Sequence, residues 1–556
     1  MKVKPALWAV ASLTFAVNVF LCFNACDSKQ PRNPSSPDEL RLPILATSAL
    51  QSLDPIRSVE LIQFNLDYQI FEGLVGIDRE GKIVPGLAER WEASADWTSW
   101  TFHLRDSTFA NDPCFSSGKG RKVSVEDVIY SLERGMNPRA GSLNSWALST
   151  VVVGGEAFAK GETHDVPGME RIDDKSVRIR LVAPDRNFLS RLTVLSTFIV
   201  PEEAVKQYGT DFGRRPVGSG PFRLVEWKEG ERLVLERNET FGVGTGWQPQ
   251  PAKIARASFT FFRSEAQVNA AFDRDDIDIR DAGGADLARF NGADALTELR
   301  RLYPAAQVFR PGWVCNVHLL APMMGGKFAF GNSSAMRRWL SREFPRQDLA
   351  SSALRGLGDP QLSVFPPEEL LVNLSGARVP KPEPGPAAID SAAELRGQTI
   401  KVAFVSSRIN DQAISLLKGL LERQGATVRL FPSASINALF SSLGQTMPDL
   451  TLIYWSPYYP NLPNYLTALL SASRPVPNFT GFSDPRLDKL ASALQTADPA
   501  EIPKIASEIR EILDETMPWV VLYHETPMVL AHRRVRNYGI TPVSSMLLRE
   551  VELVRD

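Results

Sequence analysis

An α/β architecture divided over two or three domains is predicted by three features of this sequence. The chain is long, its second half alternates strands with helices, and its first half carries half-buried strands beside an amphipathic helix. At 556 residues it exceeds what one hydrophobic core supports. Hydrophobic residues make up 44% and charged residues 23%, as in soluble globular proteins. The formal charge of −2 comes with no long basic stretch, which excludes nucleic acid as an expected partner, because phosphate binding needs clustered Lys and Arg.

Each element can be justified in turn. Residues 71–91, "FEGLVGIDREGKIVPGLAERW", read as a strand, a turn at Asp78–Gly81 and a second strand. In "WTFHLR" (100–105), Trp100, Phe102 and Leu104 alternate with Thr101, His103 and Arg105, the period of a half-buried strand. "VSVEDVIYSLER" (123–134) places Val125, Val128, Ile129 and Leu132 on one helical face, with Ser124 as the N-cap. "VRIRLVAP" (177–184) and "ERLVLERN" (231–238) alternate again as strands.

A proline-rich stretch, "ARVPKPEPGPAA" (377–388), cannot be helical. Beyond it "TIKVAFV" reads as a strand and "DQAISLLKGLLERQG" as a helix closed by Gly425. "ATVRLF", "SINALFSSLG" and "DLTLIYW" continue as strand, helix and strand. This alternation predicts a parallel sheet covered by helices. It also sets the charge-free loop "WSPYYP" (455–460) at the carboxyl end of a strand, where open α/β sheets place ligand crevices.

At the N-terminus, Lys2 and Lys4 precede the apolar run "ALWAVASLTFAVNVFLC", the order of an export signal. The run ends in "CFNACDS", which resembles the cleavage box of bacterial lipoproteins, whose cysteine becomes the lipidated first residue. Ala25 supplies a small residue before Cys26, whereas Leu21 precedes Cys22. Cys26 is therefore the expected lipidation site, with 1–26 the signal and anchor and 27–39 a Pro/Ser-rich tether. An uncleaved membrane anchor is the alternative, since the run approaches a bilayer-spanning length. Either way the body lies outside the cytoplasm, in the periplasm or cell envelope.

The ordered set "LDP" (53–55), the 71–91 segment, "WTFHLR", "VSVEDVIYSLER" and "PVGSGPFRLVEWKEGERLVLERN" (216–238) resembles the family 5 extracellular solute-binding proteins. These serve oligopeptide, dipeptide and nickel importers. The resemblance runs from about Leu53 to the C-terminus and is strongest before residue 280. It implies a two-lobed periplasmic-binding-protein clamp, type II-like, with an extra inserted subdomain. By analogy, residues 40–75, 209–300 and 521–556 form the first lobe, 76–208 the insertion, and 301–520 the α/β second lobe. The implied partners are a small-molecule or peptide-like solute, ABC permease subunits, and a membrane reached through the lipid; a monomer is expected. A binding-lobe protein acting as an envelope sensor or scaffold is the alternative. The sequence departs from the family where Pro345 interrupts the helix at 336–349 and where the helix before the α/β region shrinks to "AAEL".

The same resemblance gives the 455–460 loop its interest. Peptide-binding members carry Trp-x-x-Asp-Tyr there, and the aspartate pairs with the peptide's α-amino group. Trp455 and Tyr459 match, while Tyr458 replaces the aspartate. A desolvated carboxylate persists only with a compensating cation, so its absence implies that no ammonium binds at this position. Trp455, Ser456, Tyr458 and Tyr459 are expected to offer aromatic packing and hydroxyls to a ligand; a packed hinge loop without ligand contact is the other reading. Trp313 and Asn316, in "GWVCNVHLL" (312–320), match a strand whose side chains line the family's cleft.

Other motifs carry less. "DRDDIDIRD" (273–281) lacks the glycine and terminal glutamate of a calcium loop and reads as a solvated edge. No cysteine–histidine spacing suits a metal, and no nucleophile has a base at motif spacing, so no metal, cofactor or enzymatic activity is expected. Cys114 and Cys315 could form a disulfide in an exported chain. Their placement in different implied domains favours separate thiols.

Overall fold

Alternating side chains become strands in the first lobe much as their pattern requires. Trp100, Phe102 and Leu104 of the strand Ser99–Leu104 are buried, and this strand lies between Ala88–Ala93 and Ser176–Arg180 in a four-stranded antiparallel sheet. Beside it stands the helix Val125–Met136. Its Ser124 hydroxyl accepts from the Asp127 amide at 3.3 Å, and the Asp127 carboxylate accepts from the Ser124 amide at 2.9 Å, a reciprocal cap that fixes where the helix begins.

The computed structural model describes residues 37–45, 50–292, 294–312, 314–361, 363–365, 391–459 and 479–554. The chain divides into Met1–Pro37 and Asp38–Asp556, the second of which carries both lobes. The expected signal, Cys26 and Trp313 lie outside the described residues. Among the described residues no helix is long and apolar enough to cross a membrane.

A second four-stranded sheet joins the strand Glu39–Leu45, in parallel register, to Arg256–Phe262, followed by Arg232–Arg237 and Phe222–Lys228. Next to it a three-stranded sheet sets Val529–Ala531 between Ile279–Asp281 and Gln307–Phe309. The acidic run 273–281 is not a solvated edge throughout. Asp278 is fully buried and held by Arg41 and Arg534, each at 2.7 Å; its partners are remote in sequence, which a local reading cannot see.

The second lobe is built on a six-stranded sheet ordered Gly358–Asp359, Val520–Glu525, Val317–Pro322, Leu450–Trp455, Thr399–Val405 and Thr427–Ser433. Only the last three strands are mutually parallel. Val317–Pro322 runs antiparallel to both its neighbours, so the sheet is mixed rather than parallel; a short apolar run does not reveal its direction. Leu450 and Leu452 feed one core and Ile453 and Trp455 the other, as alternate residues on two covered faces must.

The chain crosses between the lobes twice. Gln307–Phe309 lies in the three-stranded sheet and Val317–Pro322 in the six-stranded one; the return runs from Val520–Glu525 to Val529–Ala531. These two connections between sheets fall at 310–316 and 526–528. Cys114 is half-buried and Cys315 buried, with no disulfide between them; burial and the neighbouring Asp112 push the Cys114 thiol up to about 12.

Candidate functional site

Two adjoining regions between the lobes are built differently. The first is the loop that leaves Leu450–Trp455. Trp455 is only 6% exposed and packs in the second-lobe core with Leu487, Ile509 and Trp519. Its backbone stays in register opposite Val317, so the ring anchors the strand end. Tyr459 is buried with Ala147 and Val194 of the first lobe. Tyr458 meets Trp146 edge to face, with ring centroids 4.9 Å apart. It also lines a small recess with Tyr68, Asn144, Thr193 and Val194, and burial raises its phenol. Two tyrosines of the second lobe therefore reach across and pack on the first. A nearby polar contact supports this closure: the Arg186 amide donates to the Gln495 carbonyl at 2.7 Å, and its guanidinium pairs with Asp498 at 2.6 Å.

Beside that strand end, where Trp455 pairs with Val317, stand the crossings. Asn316 is 2% exposed, and its Nδ2 donates to Glu525 Oε2 at 2.8 Å and to Ser544 Oγ at 3.0 Å. The Glu525 amide donates to the Asn316 carbonyl at 3.1 Å. His318 Nε2 lies 3.0 Å from Glu525 Oε1, and its ring stacks on Tyr523 at 4.2 Å. Burial works to raise the Glu525 carboxyl, but the bonds from His318 and Asn316 outweigh it and hold the group below its ordinary value. Glu525 is thus kept ionised.

Asp281 approaches from the three-stranded sheet, in register with Val529. Burial, joined by the charge of Glu525, pushes its carboxyl up to about 6. Yet Asp281 is exposed, Tyr454 keeps 37% of its surface accessible, and the Glu525 side chain keeps 34%. Burial nevertheless weighs most in the titration of all three. Burial raises the Tyr454 phenol, partly opposed by Ser456 and Asn316, so these two expected site residues meet at one hydroxyl.

Of the expected residues, the structure gathers Ser456 and Asn316 around Tyr454, turns Trp455 into a core, and sets Tyr458 and Tyr459 against the first lobe. Sequence reasoning missed Glu525, Asp281, His318 and Trp146. The available signal was the charged end of the otherwise apolar strand "VVLYHE". Among the described residues no group of three His, Cys, Asp or Glu could hold a metal.

The model for bacterial extracellular solute-binding proteins, family 5 Middle, matches residues 82–475. The chain belongs to that family. The periplasmic oligopeptide-binding protein OppA of Salmonella typhimurium is 24% identical over 530 residues, 91% of each chain. A probable deoxycholate-binding periplasmic protein, YgiS of Escherichia coli, is 26% identical over 194 residues, covering 34% of this chain and 35% of that one. Among solved structures, DppA of Helicobacter pylori in complex with the peptide STSA aligns with a TM-score of 0.75 at 20% identity, over 93% of this chain and 98% of that one. The family member thus has the two-lobed α/β clamp, and its relatives are periplasmic binding proteins rather than enzymes.

Proposed function

We propose that this protein is an exported, lipid-anchored solute-binding protein that captures a peptide-like or other small solute between its lobes and delivers it to an ABC importer. The observation that carries this reading is the match of residues 82–475 to a family of extracellular solute-binding proteins. Closing the lobes over a solute removes it from water and adds second-lobe contacts that the open form lacks, so the solute shifts the population toward the closed form. Tyr458, meeting Trp146 across the gap, favours an apolar or neutral portion of the solute at that end. Trp455 and Tyr459 support it from behind.

In this reading Cys26 carries the lipid, and the protein acts as a monomer with permease subunits as its partners. Mass spectrometry of small molecules released on unfolding the purified protein tests solute capture. A retained solute is expected; an empty protein that also binds nothing from a peptide library overturns the reading. Palmitate labelling tests the anchor separately, with Cys26→Ser expected to abolish it.

A further inference from the structure

We propose that the cleft takes a cationic group of its solute, an amine or guanidinium, at Glu525 beside the two crossings. This rests on the solute-capture reading and specifies what is captured.

Charge balance is the first argument. Several buried carboxylates face arginines: Asp54 with Arg134, Asp185 with Arg191, Asp278 with Arg41 and Arg534, Asp286 with Arg280; Asp67 and Asp449, more deeply buried than Glu525, are held by a hydroxyl and by backbone amides instead. Glu525 has only an imidazole and a neutral amide. Asp281 has no ion pair or side-chain hydrogen bond among the described residues, and the adjacent Arg280 is already committed to Asp286 at 2.7 and 2.8 Å. Glu525 is thus held ionised by His318 and Asn316 with no arginine or lysine beside it among the described residues, which leaves its exposed part open to a cationic partner.

Geometry is the second. An ionised carboxylate has about four acceptor positions, and His318 and Asn316 take one on each oxygen. The remaining capacity stays accessible, since a third of the side chain is uncovered. The two partners hold the carboxylate in place before any ligand arrives, which lowers the ordering cost of binding. Beside it, Asn316 is nine-tenths buried and more, and its Oδ1 has no hydrogen-bond partner among the described residues. That carbonyl is a further acceptor suited to an N–H donor. The third argument is aromatic. Tyr454, with its ring centroid 5.3 Å from that of His318, keeps 37% of its surface accessible, and a cation over an aromatic face gains electrostatic attraction.

Glu525 also ties the crossings together, so a cation seated there contacts the segments about which the lobes would turn. Charge recognition and closure are then one event.

The test identifies the solutes retained by the full chain and by its variants, using mass spectrometry after unfolding, with thermal melting as the folding control. Wild type is expected to retain compounds bearing an amine or guanidinium. Glu525→Gln should reduce their retention roughly tenfold or more, the scale of a lost charge-assisted hydrogen bond. Glu525→Asp should keep part of it, and Asp281→Asn should lower it by a smaller factor. Acetylating the recovered amines and offering them back to wild type should abolish rebinding, a readout that requires no variant to fold. Retained solutes that are neutral or anionic, or retention unchanged in folded Glu525→Gln, overturn the cation site while leaving solute capture standing. A wild type that holds and binds nothing overturns both.

Discussion

Two adjoining regions join the lobes by different balances of contact, the loop region adding the Arg186–Asp498 pair and the Arg186–Gln495 backbone bond to its apolar packing. In the loop region, Tyr458 and Tyr459 meet Trp146, Ala147 and Val194 through rings and methyl groups. At the crossings, Asn316, His318 and Glu525 meet through hydrogen bonds to a charge. Apolar contact is tolerant of small displacements, because dispersion and burial are not directional. A bonded carboxylate is not, since its hydrogen bonds weaken steeply with angle. The difference teaches that the loop region tolerates small displacements better than the crossings do.

The largest effect should come from the residue that anchors the loop end. Trp455→Ala empties a core position and should lower unfolding free energy by about 3–5 kcal/mol, measured by urea denaturation. A loss below about 1 kcal/mol would mean that the ring is not core, and the loop would then lose its fixed base. Asn316→Ala removes the amide that links both crossings to Ser544, and it leaves a charged acceptor short of a donor. A loss of about 2 kcal/mol is expected, with looser coupling between the lobes visible in small-angle scattering. An unchanged midpoint would show that the backbone bond between Glu525 and Asn316 suffices.

Tyr458→Ala should cost about 1 kcal/mol beyond the area it buries. Because Ser456 of the same loop and Asn316 both act on Tyr454, the double variant with Asn316→Ala should be non-additive; additive effects would make the two regions independent. The smallest effect concerns pH. Asp281 binds its proton more tightly in the folded protein than in the unfolded chain, because its carboxyl is raised from 3.8 to about 6. Its contribution to stability is therefore complete below about pH 4 and is lost as pH rises through about 6. The melting temperature of Asp281→Asn relative to wild type should shift across that window, whereas Tyr458→Phe should keep a constant offset from wild type through it, because the raised Tyr458 phenol titrates only at alkaline pH. A parallel profile for Asp281→Asn would place that carboxylate in open water.

Much of the fold was legible in local pattern. The strand Thr399–Val405 coincides with its apolar run, and Ser124 starts its helix where its side chain predicts. Local pattern fails where the answer depends on register. Val317–Pro322 and Val520–Glu525 are as apolar as the parallel strands of the same sheet, and nothing in either run states its direction. The candidate site suffers most from this. Trp455 and Tyr458 could be found because they follow a strand, but Glu525 and Asp281 come together only through the pairing of Asp281 with Val529. Asp278 and Asp281 share one acidic run, yet one is clamped by arginines and the other approaches Glu525.

Those arginines bear on how the molecule forms. Asp278 bonds to Arg41, 237 residues earlier, and to Arg534, 256 residues later. The charged core of the first lobe therefore cannot assemble until segments from both extremes of the described body are present. Such long-range closure makes folding slow, because loop entropy is lost before the contacts are gained. For a chain read as crossing a membrane unfolded, a slow-closing first lobe extends the time in which it can still be threaded.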